Sequence, residues 1–199
     1  MRKTAYPVMV LCLILLGPLG KAQGGFMDMF SGITGRTSND AMVSSDNYAP
    51  DVDKALLRLK GKSLHLASFT NSADNTKQFS YPSAEDKFFY VVGNGAVESY
   101  FWYCFQKGLS SAGLKVIEDS QAGPAPSLMV NLLYLTDKQF KAEAVVTKGK
   151  DIFKKKIEET FEPPQTDDRE QLAFNAYKFM DKIIIAVMTD PEVLKAMGY

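Results

Sequence analysis

Histidine is almost missing from this chain: His65 is the single one among 199 residues. A serine nucleophile needs a positioned base beside it, and no GxSxG turn is present to carry one. Cysteine is nearly as scarce, with Cys12 and Cys104. Zinc takes three or four His, Cys or acidic ligands, so these counts argue against a resident metal. Asp46, Asn47, Asp51 and Asp53 match a calcium loop in composition only, because its glycine and closing glutamate are missing. A charge excess is missing too. The 23 basic and 23 acidic side chains cancel, which leaves no general field for a phosphate backbone and argues against nucleic acid as the main partner. Gly93-Asn94-Gly95 is not a phosphate-binding fingerprint, since Glu98 stands where the third glycine would fall. The acid pairs Glu118-Asp119 and Glu158-Glu159 are adjacent, so their side chains point apart. The expectation is no enzyme, no catalytic residues, no cofactor and no metal.

Long apolar runs are also lacking. The one at Val8 to Leu16 is too short for a membrane span. Arg2 and Lys3 precede it, Gly17 and Pro18 interrupt its end, and Gly20 and Ala22 place small residues at the −3 and −1 positions. Residues 1–22 therefore read as a secretory signal peptide, cut after Ala22 or Gln23; an uncleaved anchor is the alternative. Cys12 follows Val10 and Leu11 rather than small residues, so lipidation is rejected. Without the leader, 20 basic side chains face 23 acidic ones, no transmembrane helix is expected, and Cys104 has no cysteine to pair with.

What is present centres on Gly95 to Val116. Val97, Tyr100, Phe101, Cys104, Phe105, Leu109 and Ala112 recur at three- and four-residue steps, the spacing of a buried helical stripe. Cys104 on that stripe reads as a small core hydrophobe. Gly113 supplies a left-handed stop, Leu114 its hydrophobic contact, and Lys115 to Glu118 a strand. Gly108 inside the helix costs about 1 kcal/mol against alanine and predicts close approach to a neighbour. Trp102 falls beside Glu98 and Gln106, off the stripe. It reads either as a half-buried tryptophan at the helix edge or as an anchor for a partner.

Around this helix, residues 23–50 read as an extended arm with an apolar knot at Phe26, Met27, Met29 and Phe30. Residues 51–199 read as a single domain. It contains a short helix at Asp51 to Leu59 and a strand at Ser63 to Thr70, on which His65 is a face residue with one hydrogen bond. A long polar stretch, Asn71 to Asp86, carries Phe79 and Tyr81, and such loops are usually functional or mobile. Further strands are predicted at Lys87 to Val92, Ser127 to Thr136, Gln139 to Lys148 and Asp151 to Phe161. Ser127 to Thr136 reads as covered on both faces or nearly so for its apolar run Leu128 to Leu135. Lys154-Lys155-Lys156 reads as a solvated edge. A second long helix, Arg169 to Met188, opens on Asp167 with Glu170 three residues on. Its stripe is Leu172, Ala173, Ala176, Met180, Ile183, Ile184 and Val187, while Phe174, Tyr177, Phe179 and Ile185 widen the apolar surface. Pro191 begins a last turn. The fold class predicted is α+β: an antiparallel sheet of four to five strands with two main helices on one face.

The strand ending in Phe69-Thr70-Asn71-Ser72-Ala73-Asp74-Asn75, the helix ending in Leu109-Ser110-Ser111-Ala112-Gly113-Leu114-Lys115-Val116-Ile117-Glu118-Asp119, and the closing helix resemble small bacterial envelope proteins. The pattern over residues 64–188 is similar to the YajG-like lipoproteins, and more distantly to the lipopolysaccharide-assembly lipoprotein LptE and the amino-terminal domain of TolB. Those lipoproteins carry a cysteine at the cleavage site, and this chain does not. The resemblance implies an α+β sandwich and binding or assembly work. The expectation is a secreted, periplasmic protein that contacts other envelope proteins, with peripheral outer-membrane association as a further partner surface. An arm of this kind suits a larger secretion or motility assembly. The alternative is a binding module for a glycan or lipid-like envelope ligand. The candidate contact residues are Phe26, Met27, Met29, Phe30, Phe79, Tyr81, Trp102, Phe174 and Phe179.

Overall fold

The computed structural model describes residues 40–93, 95–117, 123–162 and 165–199. The leader and the apolar knot at Phe26, Met27, Met29 and Phe30 lie outside the described residues, as does the acid pair Glu118-Asp119.

The fold is α+β. Among the described residues nine strands run in chain order: β1 Ala41–Val43, β2 Ser63–Leu66, β3 Thr70–Asn71, β4 Ser80–Pro82, β5 Phe89–Val92, β6 Lys115–Ile117, β7 Ser127–Leu135, β8 Gln139–Lys148 and β9 Asp151–Thr160. The described helices are α1 Asp53–Leu56, α2 Val97–Ser111, α3 Arg169–Thr189 and α4 Pro191–Met197. The strands form two sheets: a small one ordered β1-β5-β4, and a large one ordered β6-β2-β7-β8-β9 with β3 also pairing β7.

Strands β7, β8 and β9 make the antiparallel meander that the sequence predicts. The rest departs from a purely antiparallel sheet. β2 lies between β6 and β7 and is parallel to both, β3 is parallel to β7, and β1 is parallel to β5. Parallel neighbours need long crossovers, and here the intervening chain, including α2, supplies them. Residues 41–47, read from the sequence as part of an arm, are strand β1 and a 3-10 turn, Ser45–Asn47, of the domain itself.

One face of the large sheet carries the core. Leu64, Leu66, Leu128, Val130, Leu132, Phe140, Ala142, Ala144 and Val146 are all buried and alternate along their strands as a single covered face requires. The helices pack there: Phe101 of α2 stacks on Phe140 at 6.0 Å, and Phe105 meets Phe69 edge-on at 5.1 Å. β7 is not covered on both sides, as its apolar run had suggested. Ser127, Met129, Asn131 and Leu133 are half-buried, and a register shift between Leu132 and Tyr134 leaves Tyr134 exposed.

The two long helices follow their sequence signals closely. α2 ends in a Schellman motif: the Leu114 amide donates to the Leu109 carbonyl and the Gly113 amide to the Ser110 carbonyl, with Gly113 at φ 83°. Gly108 lets α3 approach, since a Cβ there would sit 2.9 Å from Ile184 Cδ1. α3 starts at Arg169 as expected, but its cap is Asp168 rather than Asp167: Asp168 accepts the Gln171 amide at 2.8 Å. Phe179 belongs to the buried stripe with Ala176, Met180 and Ile183.

Side chains from α2 and α3 tie the amino-terminal segment to the domain. The Lys107 ammonium donates to the carbonyls of Ser45, Asp46 and Tyr48 at 2.6, 3.1 and 3.4 Å. Asp181 of α3 accepts the Tyr48 hydroxyl at 2.5 Å and the Asp51 amide at 3.1 Å. Cys104 is fully buried, and burial pushes its thiol well above the usual range, as expected of a core hydrophobe.

Candidate functional site

The outward side of α2 carries an ordered aromatic surface. Helical spacing sends Val97, Phe101 and Leu109 into the core and leaves Glu98, Ser99, Trp102 and Tyr103 on the other side. The Trp102 indole N–H donates to the Leu66 carbonyl at 3.2 Å, which fixes the ring over the helix edge. Tyr103 stands against it, ring centroids 5.1 Å apart at 88°, and is 47% exposed. Together with Ser68, Phe69, Glu98 and Ser99 the pair lines a hollow of about 190 Å³. An aromatic surface already held in place loses little freedom on binding, and tryptophan and tyrosine are enriched at interface hot spots.

Phe79 is held at the start of the same helix. It lies in the turn closed by the Lys77–Ser80 bridge, where the Gln78 carbonyl accepts the Val97 amide at 2.9 Å, and it is 44% exposed. Phe174 is 50% exposed on α3 with the Lys178 ammonium 4.5 Å from its ring centroid. Two candidates are corrected. Tyr81 is buried and stacks on Tyr90 at 4.9 Å, so it is a core ring of the small sheet. Phe179 is buried against Phe161, centroids 3.9 Å apart. Neither presents a contact surface. Tyr103 was missed, although its place one step past Trp102 and off the buried stripe was a usable signal.

A second polar feature surrounds Asp137, in the turn between β7 and β8. Its carboxylate accepts the Ala84 amide at 2.7 Å and the Tyr90 hydroxyl at 3.3 Å, joining the β4–β5 hairpin to the large sheet. Burial holds this carboxyl above the usual range, and the two hydrogen bonds partly oppose the rise. Small hollows of about 160 and 370 Å³ flank it. The sequence showed only a tight turn here, because its partners are distant in the chain.

His65 lies on β2 on the side opposite the buried Leu64 and Leu66, its Nδ1 3.0 Å from Ser127 Oγ. It borders an open groove of about 1130 Å³ that runs past the β8–β9 turn to Lys195 on α4. Among the described residues no cluster of three or more His, Cys, Asp or Glu side chains is placed to hold a metal. Among them, too, no helix is long and apolar enough to cross a membrane.

No family model matches the chain, and no curated protein matches it. Solved structures do. A crystal structure of a Xanthomonas campestris protein of the family DUF330 aligns with a TM-score of 0.55 at 7% identity, over 74% of this chain and 92% of that one. A second crystal structure, of an uncharacterized protein, aligns with a TM-score of 0.48 at 12% identity, over 72% of this chain and 94% of that one. The likeness to the DUF330 protein supports the α+β fold and extends to nothing finer. The resemblance to YajG-like and LptE-like proteins receives no separate support from these comparisons.

Proposed function

We propose that the chain is a non-enzymatic interaction subunit of a bacterial cell envelope. The leader at residues 1–22 delivers it to the periplasm, where it contacts other envelope proteins. The observation that carries this reading is the pre-ordered Trp102–Tyr103 surface on α2, with Phe79 held at the same helix's start. The absence of charge excess fits a protein partner better than nucleic acid.

Affinity purification from envelope extracts tests it, comparing wild type with Tyr103→Ala and Phe79→Ala. Both substitutions remove exposed rings, so the fold survives them. The expected result is a defined envelope protein recovered with wild type and reduced at least about tenfold with Tyr103→Ala, since hot-spot truncation costs about 2 kcal/mol or more. Equal recovery with all three, or none with wild type, sinks the reading.

A second reading is favoured by the hollow itself, where Trp102 and Tyr103 sit beside Glu98, Ser99 and Ser68. Rings with adjacent hydroxyl and carboxylate groups suit a glycan or lipid headgroup. Trp102 is the chain's single tryptophan, so its fluorescence reports on this site alone. Unchanged emission on titration with peptidoglycan and lipopolysaccharide fragments removes this option.

A further inference from the structure

β9 ends the large sheet among the described residues: it pairs β8 on one side, and no described strand takes the other. The strand runs ten residues, Asp151–Thr160. Its hydrogen-bonding direction is fixed at both ends. The Phe161 amide donates to the Lys138 carbonyl at 2.7 Å, and a two-residue turn joins the paired residues Lys148 and Asp151. Odd-numbered residues therefore bond to β8, and the even-numbered ones, Ile152, Lys154, Lys156, Glu158 and Thr160, turn their amides and carbonyls outward.

Lysine on an edge ordinarily discourages pairing, but here the lysines are followed by their complement. The sequence around Ile157 is Lys155-Lys156-Ile157-Glu158-Glu159. Laid antiparallel on a second copy about Ile157, it sets Lys156 against the other copy's Glu158, Lys155 against Glu159, and Ile157 against itself. That register also matches the backbone, because Lys156 and Glu158 both face outward and form a hydrogen-bonded pair, while Ile157 faces β8 and sits at a non-hydrogen-bonded position on the axis. A slip of two residues one way opposes Lys156 to its own copy, and the other way opposes Glu158 to its own. Like charges directly opposite are destabilising, so one register stands out. The core-facing side of the strand is already shielded, with Ile157 buried and α3 and α4 packed along β9. On the opposite side Lys154 and Lys156 are exposed. Within the chain Lys155 pairs with Glu192 at 3.1 Å and Glu158 with Lys141 at 3.4 Å, whereas no ion pair holds Lys156 or Glu159 among the described residues.

We infer that β9 is a self-association edge, at which two copies of this chain join antiparallel about Ile157 and continue their large sheets into one. This interface is separate from the aromatic surface of α2, and its failure leaves that reading untouched.

Sedimentation of the purified protein between about 1 and 300 µM tests it. An interface of one strand pair is at the small end of the specific range, which sets the expected dissociation constant at about 1–100 µM. Lys156→Glu turns both symmetric pairs repulsive and weakens the dimer about 10- to 30-fold; Glu158→Lys does the same. The double variant Lys156→Glu/Glu158→Lys restores opposite charges across the axis and returns the constant to within about threefold of wild type. Lys156→Pro removes an outward amide, a position where an edge strand tolerates proline, and leaves a monomer with an unchanged circular dichroism spectrum. If that variant does not fold, the charge reversals decide. A wild type monomeric throughout, its edge left bare or taken by a foreign strand, overturns the inference. So does a dimer indifferent to the reversals or not restored by the double variant.

Discussion

Replacing Gly108 with alanine sets two effects of similar size against each other. In a helix interior alanine is favoured over glycine by about 1 kcal/mol. At this position the new methyl would lie 2.9 Å from Ile184 Cδ1, 3.5 Å from Val52 Cγ2 and 3.6 Å from the Tyr48 hydroxyl oxygen. Ile184 is fully buried, so its terminal methyl can yield only against other packed side chains, and overpacking of this kind costs about 1–3 kcal/mol. The single substitution should therefore destabilise, by about 1 kcal/mol net. Ile184→Val removes the opposing methyl and by itself costs about 0.5–1.5 kcal/mol. In the double variant the alanine methyl occupies the space so vacated. The helix preference is then recovered without the clash, and the pair should be more stable than the sum of the single changes by about 1–2 kcal/mol. Urea titration followed by Trp102 fluorescence measures each member of the cycle, the midpoint reporting stability where the slope is unchanged. Additive effects, or a Gly108→Ala variant more stable than wild type, would refute the account of why a glycine sits there.

Tyr100 is buried and, among the described residues, its hydroxyl has no hydrogen-bond partner, only the weakly interacting Cys104 thiol nearby. Tyr100→Phe should raise stability by about 1 kcal/mol, because a buried hydroxyl without a good partner costs about that much; a loss in the same urea assay would show that the hydroxyl is satisfied. Asp137 supplies a pH signature. Burial raises its carboxyl in the folded state, so the folded protein holds that proton more tightly than the unfolded chain. Its contribution is full below the ordinary aspartate range of about 4 and is lost as pH rises through the raised value. The stability of wild type relative to Asp137→Asn should therefore grow as pH falls from 7 toward about 4, and a flat or reversed difference in paired melting curves would contradict the assignment.

Elements whose signal is local were readable in the sequence. The stripe of α2, its stop at Gly113, the β7–β8–β9 meander and α3 all rest on periodicity or on caps within a few residues. Pairing between distant segments was not. Nothing in Ser63 to Leu66 says that its neighbours are Lys115–Ile117 and Ser127–Leu128, or that they run parallel. β1 is three residues long among polar neighbours, too short for alternation to show. The contact candidates failed for a related reason. Phe79 and Tyr81 are two apart and would share a face in a continuous strand, but Phe79 lies in the turn before β4, so one ring is exposed and the other buried. Phe179 seemed to widen the apolar side of α3 because the sequence does not reveal that Phe161, at the end of β9, covers it.

The place of β2 between β6 and β7 has a consequence for how the molecule is made. Both of its neighbours emerge from the ribosome some fifty or more residues after it. Until then Leu64 and Leu66 have no ladder to join, and the centre of the large sheet cannot close. Late, long-range pairing of this sort slows folding. A translocation channel that threads extended polypeptide would meet a chain whose topology itself postpones the native state.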